Sequence, residues 1–295
     1  LQYRSRSLFV MWNHEYVGKN YIADVGFVPR LYNYDQSRDT SIRQSFWRLE
    51  PDIAYGFYPK NSFIFKHGPQ LYLDYYADSS FHLADRRIRF GYLFEFMNQS
   101  EIYFTRNIRR IKLFFPIDIT GQGATPLPAG MYNTELWGVR YKSNKRKRFY
   151  GETDLKLGSF YNGQITTYGL SLSYRKQPWG IFSMDFKYHN VRLPEPYNST
   201  ELILFGPKFE ISFTKSLFLN TFFQYNTQID NININTRLQW RFKPMSDLYF
   251  VYTDNYDVYF NEKNRAFVLK FVYWLSPMNI KDTYRHKGQR QKLSD

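Results

Sequence analysis

From Ile232 the chain alternates without a break. Ile232, Ile234, Thr236, Leu238, Trp240 and Phe242 fall on one face, and Asn233, Asn235, Arg237, Gln239, Arg241 and Lys243 on the other. A two-residue period sorts side chains onto opposite faces of a strand, whereas a helix would scatter them. The preceding segment sets Leu217, Leu219, Thr221, Phe223 and Tyr225 against Asn220, Gln224 and Asn226, with Phe218 and Phe222 on the polar side. Tyr168, Leu170, Leu172 and Tyr174 likewise oppose Gly169, Ser171, Ser173 and Arg175, and Met184, Phe186 and Tyr188 oppose Asp185, Lys187 and His189.

Fourteen such segments are expected, at 3–17, 43–57, 62–76, 86–98, 101–115, 132–143, 147–160, 164–176, 180–192, 199–213, 216–229, 232–243, 247–258 and 265–276. The first, fifth and sixth alternate poorly, and in the fifth Arg106 and Arg110 share a face with Ile102 and Phe104. Every other connection is a tight turn, as at Asn98-Gln99-Ser100, Gln177-Pro178-Trp179 and Pro244-Met245-Ser246. The intervening ones are mostly longer, at 18–42, 77–85, 116–131, 193–198 and 259–264.

Alternating strands of this length, short turns at one end and longer loops at the other are the features of an outer-membrane β-barrel. A soluble sandwich also alternates, but its strands run nearer five or six residues. The fold expected is therefore all-β: a transmembrane antiparallel up-and-down barrel of about 14 strands, with short periplasmic turns and longer extracellular loops. The barrel is expected over residues 1–277, either whole or as the C-terminal part of a longer barrel protein, with a polar basic tail over 278–295. Both termini then lie in the periplasm. The chain opens at Leu1-Gln2-Tyr3-Arg4 without a signal-like segment, which reads as a mature or truncated piece of something longer.

Composition sharpens this picture. The 295 residues include 28 Phe, 27 Tyr and 6 Trp, an aromatic content that favours strands and, for Tyr and Trp, membrane interfaces. The absence of Cys excludes a disulfide scaffold, a thiolate zinc site and a thiol nucleophile. No apolar run approaches the roughly 20 residues of a membrane-spanning helix. The net charge of +14 would suit nucleic acid, but the only dense basic runs are Lys145 to Arg148 and the tail. No nucleic-acid partner is expected.

Two blocks resemble a known family. Ile22-Ala23-Asp24-Val25-Gly26-Phe27-Val28-Pro29-Arg30 is similar to its "EVGFVPR" signature. Gln224-Tyr225-Asn226, Asn235 to Pro244, Asp247-Leu248 and Val251-Tyr252 are similar to its "QYN … N-x-R-x-x-W-R-F-x-P-x-x-D-L-x-x-V-Y" block. The family is the domain of unknown function that forms the C-terminal region of certain Bacteroidota proteins whose N-terminal region resembles a family 9 carbohydrate-binding module. The resemblance implies an outer-membrane barrel and no established activity.

No enzyme chemistry is expected. The five His are scattered without metal-ligand spacing, Gly121-Gln122-Gly123 lacks the context of a phosphate loop, and there is no Gly-x-Ser-x-Gly. Asp254, Asp257 and Glu262 lack the spacing of a calcium loop. No catalytic residue, cofactor or metal is assigned. The polar face yields the candidates instead: Arg175, Lys187, Lys208, Arg237, Arg241, Lys243 and Lys270, with the acids Glu50, Asp52, Asp74, Glu152, Asp154, Asp185 and Glu210, are expected to line a lumen. Arg237, Arg241, Lys243 and Lys270 form the most one-sided basic group. Leu217, Leu219, Phe223, Leu238, Trp240, Phe242, Phe271 and Tyr273 are expected to meet lipid. The function expected is a non-enzymatic porin-like channel, or the membrane-embedded component of a larger surface or translocation assembly with outer-membrane or periplasmic partners. The alternatives are a surface carbohydrate-binding β-protein that uses aromatic loops, and a hydrolase by family label alone.

Overall fold

A computed structural model describes residues 1–121, 123, 125–228, 230–257 and 261–275. Every regular element among them is a strand. In chain order these are β1 (Gln2–Arg4), β2 (Leu8–Val17), β3 (Tyr32–Asp35), β4 (Thr40–Arg43), β5 (Phe46–Tyr55), β6 (Ile64–Asp78), β7 (Leu83–Phe96), β8 (Glu101–Leu113) and β9 (Gly130–Lys142). They continue with β10 (Phe149–Phe160), β11 (Gly163–Lys176), β12 (Gly180–Arg192), β13 (Thr200–Ser212), β14 (Leu217–Asn226), β15 (Asn231–Lys243), β16 (Ser246–Tyr256) and β17 (Glu262–Val272). Fifteen form one antiparallel sheet, ordered as in the sequence from β1 and β2 to β5 and on to β17, while β3 and β4 pair separately. No described helix is long and apolar enough to cross a membrane.

Each of the fourteen alternating segments carries one of these strands. The extra strand comes from the first segment, where Ser5-Arg6-Ser7 breaks the run and folds β1 back on β2, with Gln2 opposite Met11 and Arg4 opposite Phe9. The β3–β4 hairpin lies within the connection expected to be a loop. The basic tail expected at 278–295 falls outside the described residues.

Short turns gather at one end of the strands. Several place a non-glycine residue in the left-handed region, including Gln99 at φ 66° and Met245 at φ 58°. At Gln99 the turn is closed by Asn98, whose Oδ1 accepts from Ser100 N and Oγ. Asn and Ser recur in such turns because their short side chains supply the hydrogen bonds that the missing ladder does not.

The chain falls into two compact units. The first comprises Leu1–Ser173 and Met184–Phe205; the second comprises Tyr174–Ser183 and the described residues from Gly206 on. In the first, cross-strand register defines one polar face. Asp52 is opposite Tyr72, Tyr72 opposite Arg89, Arg89 opposite Asn107 and Asn107 opposite Leu136. Its other face carries Trp47, Leu71, Phe90, Phe104 and Trp137. In the second unit Leu217 faces Trp240, Leu219 faces Leu238 and Phe223 faces Ile234 on the apolar side, while Asn220 faces Arg237 on the polar side.

A small apolar core sits at the long-loop end of the first unit. Leu31, from the β2–β5 connection, is fully buried against Phe46, Tyr76 and Ala84, with Val17, Val28 and Phe114 around them. The connection is therefore folded back onto the strands rather than left in solvent.

Candidate functional site: a charged polar face and its folded loop

Burial in the first unit runs opposite to that of a soluble sheet. On the polar face Asp74 and Tyr72 are each 7% exposed and Asp85 5%, whereas on the other face Phe90 is 47%, Phe104 48% and Trp137 54% exposed. Charged side chains are almost never fully buried unless paired, so the partners of these carboxylates decide what the face is.

Three clusters hold them. On β2, β5, β6 and β7, Arg48 donates from Nε to Asp74 at 2.8 Å and reaches Glu50 at 2.9 Å and Glu15 at 3.5 Å. Arg87 binds the other Asp74 oxygen at 3.3 Å, and Tyr72 Oη donates to Glu50 at 2.7 Å. Asp52 accepts from Gln70, whose own Oε1 accepts from Tyr103 Oη at 2.7 Å. Tyr103 can lie across the face because Gly91 leaves it room: a Cβ there would come within 2.3 Å of Tyr103 Oη. The second cluster centres on Asp85, which is held by Arg109 at 2.6 Å and by Arg30 from the β2–β5 connection. In the third, on β9 and β10, Glu152 takes Arg140 and Lys142, each at 3.8 Å, and Asp154 takes Lys156 at 3.1 Å.

Between the clusters lies a cavity of about 450 Å³ whose walls include five cations, Arg87, Arg89, Arg109, Arg140 and Lys156, and two acids, Glu152 and Asp154. The Arg89 guanidinium lies 4.6 Å from the Tyr72 ring, and its Nε is buried without a hydrogen-bond partner. Such a recess, positive and partly desolvated, attracts anions more strongly than the same charges would in open water.

The β2–β5 connection is pinned at three points. Leu31 enters the core described above, Arg30 Nε also donates to Asp85 at 3.1 Å, and Gln36 Oε1 accepts from Asp118 N at 3.0 Å. Its hairpin is held by Tyr34 Oη donating to Asp39 at 2.7 Å and by Ser37 Oγ donating to Asp35 at 2.6 Å. The bond to Asp39 raises the Tyr34 phenol above its ordinary value, and the Ser37 donors hold the Asp35 carboxyl below the usual range.

The sequence candidates are distributed unevenly over these features. Glu50, Asp52, Asp74, Glu152 and Asp154 lie on the polar face of the first unit, in separate groups. Asp185 accepts from Ser171 Oγ at 2.6 Å. Lys187 shares the face of Asp185 by strand period. Lys208 and Glu210 pair with each other at 2.9 Å, and Arg175 is engaged by neighbours. The C-terminal basic residues do not form the single group expected. Arg241 pairs with Asp247 at 3.2 Å, Lys270 lies over the Tyr249 ring at 6.0 Å, and Arg237 makes no ion pair among the described residues. Lys243 donates to Tyr273 Oη at 3.1 Å, which joins residues expected on opposite faces, because a bulge between Arg241 and Lys243 shifts the register there. The expected lipid-facing residues do share one surface: Phe242 stacks on Phe271 at 5.6 Å, beside Trp240 at 5.9 Å. The acids weighed for calcium are engaged otherwise, Asp254 by Tyr252, Tyr256 and Arg265, Asp257 by Asn261, and Glu262 by Arg265. Among the described residues no three His, Asp or Glu side chains converge as a metal would require.

Arg48, Arg87, Arg109 and Arg140 carry most of the site and were not among the sequence candidates. Arg48 shares the parity of Glu50 and Asp52, and that alone would have found it. No protein-family model matches the sequence, and neither does any curated protein.

Proposed function

We propose that the chain is a non-enzymatic outer-membrane β-barrel whose polar face lines a lumen and whose β2–β5 connection narrows that lumen into an anion-preferring pore. The observation that carries this reading is the inverted burial of the first unit, with the Asp74 and Asp85 carboxylates covered and Phe90, Phe104 and Trp137 uncovered. An exposed aromatic surface of that extent costs free energy in water and none in hydrocarbon. In hydrocarbon every backbone group must be paired, which a closed sheet achieves and an open one does not. All eleven residues of β17 are exposed, as an unpaired edge strand would be. The family resemblance of the Ile22–Arg30 and Asn235–Pro244 blocks points to the same placement.

In this reading the short turns and both termini face the periplasm and the longer loops face outward. The recess becomes the selective zone, where Arg89, which has no ion pair among the described residues, supplies positive charge beyond that balanced in the Arg87, Arg109 and Arg140 pairs and favours anions over cations. Arg30, anchored to Asp85, holds the folded connection over the zone.

The test is planar-bilayer conductance of the detergent-refolded chain under a salt gradient. Stable steps with a reversal potential of anion-selective sign are expected. Silence from a chain with heat-modifiable gel mobility would replace the pore by a plugged barrel that serves as the membrane anchor of an assembly. Recovery as a detergent-free soluble monomer would sink the barrel itself.

A further inference from the structure

Directly across the β7–β8 ladder two pairs of arginines face each other, Arg87 with Arg109 and Arg86 with Arg110. Like charges in that position repel. On the polar face Asp74 and Asp85 neutralise the first pair. The second pair stands on the aromatic face, where Arg86 and Arg110 make no ion pair among the described residues, and Arg86 Nε is buried with no hydrogen-bond partner. Glu135, the carboxylate on that face of β9, is taken by Arg106 at 2.8 Å and by Trp137 Nε1 at 3.1 Å. Lys112, further along the same face, adds a third cation over the Phe114 ring at 5.2 Å.

Below this group, toward the short turns, the same face is hollowed. A groove of about 610 Å³ runs between Phe90, Tyr92, Phe104, Trp137, Val139 and Leu157, and Arg106 forms its margin. Four residues separate Arg106 from Arg110 and Phe90 from Arg86, or about 13 Å along an extended strand. Two uncompensated guanidiniums thus stand one short acyl length above an apolar slot, at the end of the strands that carries the long loops.

We propose that this surface binds an anionic lipid: Arg86 and Arg110 bridge a phosphate of its headgroup, and an acyl chain lies in the groove below. The inference rests on the membrane-barrel reading, which sets this face against the outer leaflet. Guanidiniums hold phosphate through paired, charge-assisted hydrogen bonds, and the phosphate supplies the counter-charge that the protein itself withholds here. A free anion would satisfy the guanidiniums but leave the groove unfilled.

The full chain, refolded in zwitterionic detergent, is to be titrated with a bisphosphorylated diglucosamine lipid (lipid A) and with its dephosphorylated form, and lipid adducts read by native mass spectrometry. The phosphorylated lipid is expected to bind roughly tenfold more tightly, a preference that R86Q/R110Q abolishes. The single variant R110Q, which changes an exposed side chain, is expected to lose part of it and covers the case in which the double variant does not refold. The charge-matched control R146Q/K147Q, in a short turn, is expected to keep the full preference. Equal binding of both lipids, an unaltered preference in R86Q/R110Q or R110Q, equal loss in the control, or complete displacement by inorganic phosphate at the same phosphorus concentration would each overturn the site. Heat-modifiable mobility of every sample separates that failure from failure of the barrel, because an unfolded or freely soluble chain loses the mobility shift and the site is overturned together with the barrel.

Discussion

The polar face of the first unit is held by shared-carboxylate clusters, and that of the second by amide bonds and single ion pairs. Around Asp74 and Asp85 each carboxylate takes two arginines from different elements, so that β5, β6, β7, β8 and a loop are tied through a few atoms. In the second unit Asn235 donates to Thr253 at 2.7 Å and Gln239 to Asp247 at 2.8 Å, bonds that link only adjacent strands. Both arrangements satisfy a covered polar face, but they distribute risk differently. A charge withdrawn from the first leaves several partners uncompensated at once, whereas withdrawal of Asn235 from the second leaves one neutral hydroxyl to find another partner.

The sharpest way to break the contrast is Asp74→Ala. It leaves Arg48 and Arg87 without their shared carboxylate, and removal of one member of a buried ion pair costs about 3–5 kcal/mol. A large fall in the urea midpoint of the detergent-folded chain is expected, while an unchanged midpoint would mean that Glu50 and Glu15 hold Arg48 alone. Asp85→Asn ranks next, at roughly 2–3 kcal/mol for two hydrogen bonds to charged groups weakened together. Because Arg30 would lose its anchor, limited proteolysis within 18–45 is expected to speed up, and conductance, if the pore reading holds, to rise.

The same contrast explains what could be read in the sequence. Most strands from β5 to β17 announce themselves through a two-residue period and turn residues at fixed places, with β8 and β9 the weak cases because β8 carries arginines on both faces. The β3–β4 hairpin gives no such signal: four residues per strand are too few for a period, and Tyr32 and Tyr34 both look outward. Glu50, Asp52 and Asp74 were legible because acids are sparse on these strands. Arg87, Arg109 and Arg140 were not, since β7 and β8 carry arginines on both faces and only cross-strand register separates Arg87 from Arg86. At the C-terminal end the period alone misplaces Lys243, because one bulge reverses parity within two residues.

Asn235→Ala tests the milder half of the comparison. Loss of the bond to Thr253 is expected to cost about 1 kcal/mol, in keeping with a neutral hydrogen bond, without any change in the first unit's proteolysis pattern. A cost as large as that of Asp74→Ala would show that the amide face is as tightly coupled as the charged one.

The smallest effect is expected where the first unit's carboxylate chemistry extends into the β3–β4 hairpin, and it depends on pH in two directions. Asp35 titrates below its unfolded value because its carboxylate form accepts from Ser37 Oγ and N. Its contribution is therefore present above about pH 4 and lost as the pH falls through the depressed folded value. Tyr34 titrates above its unfolded value because the protonated phenol donates to Asp39. That contribution is present below about pH 10 and lost as the pH rises through the raised folded value. The hairpin is accordingly expected to be steady across the neutral range and to loosen at both extremes, as followed by the NMR shift of the Ser37 amide. Asp35→Asn should remove the acid arm alone and Tyr34→Phe the alkaline arm alone. If either variant abolished both arms, the two bonds would form one coupled unit like the Asp74 cluster, and the loop would belong with the charged face rather than beside it.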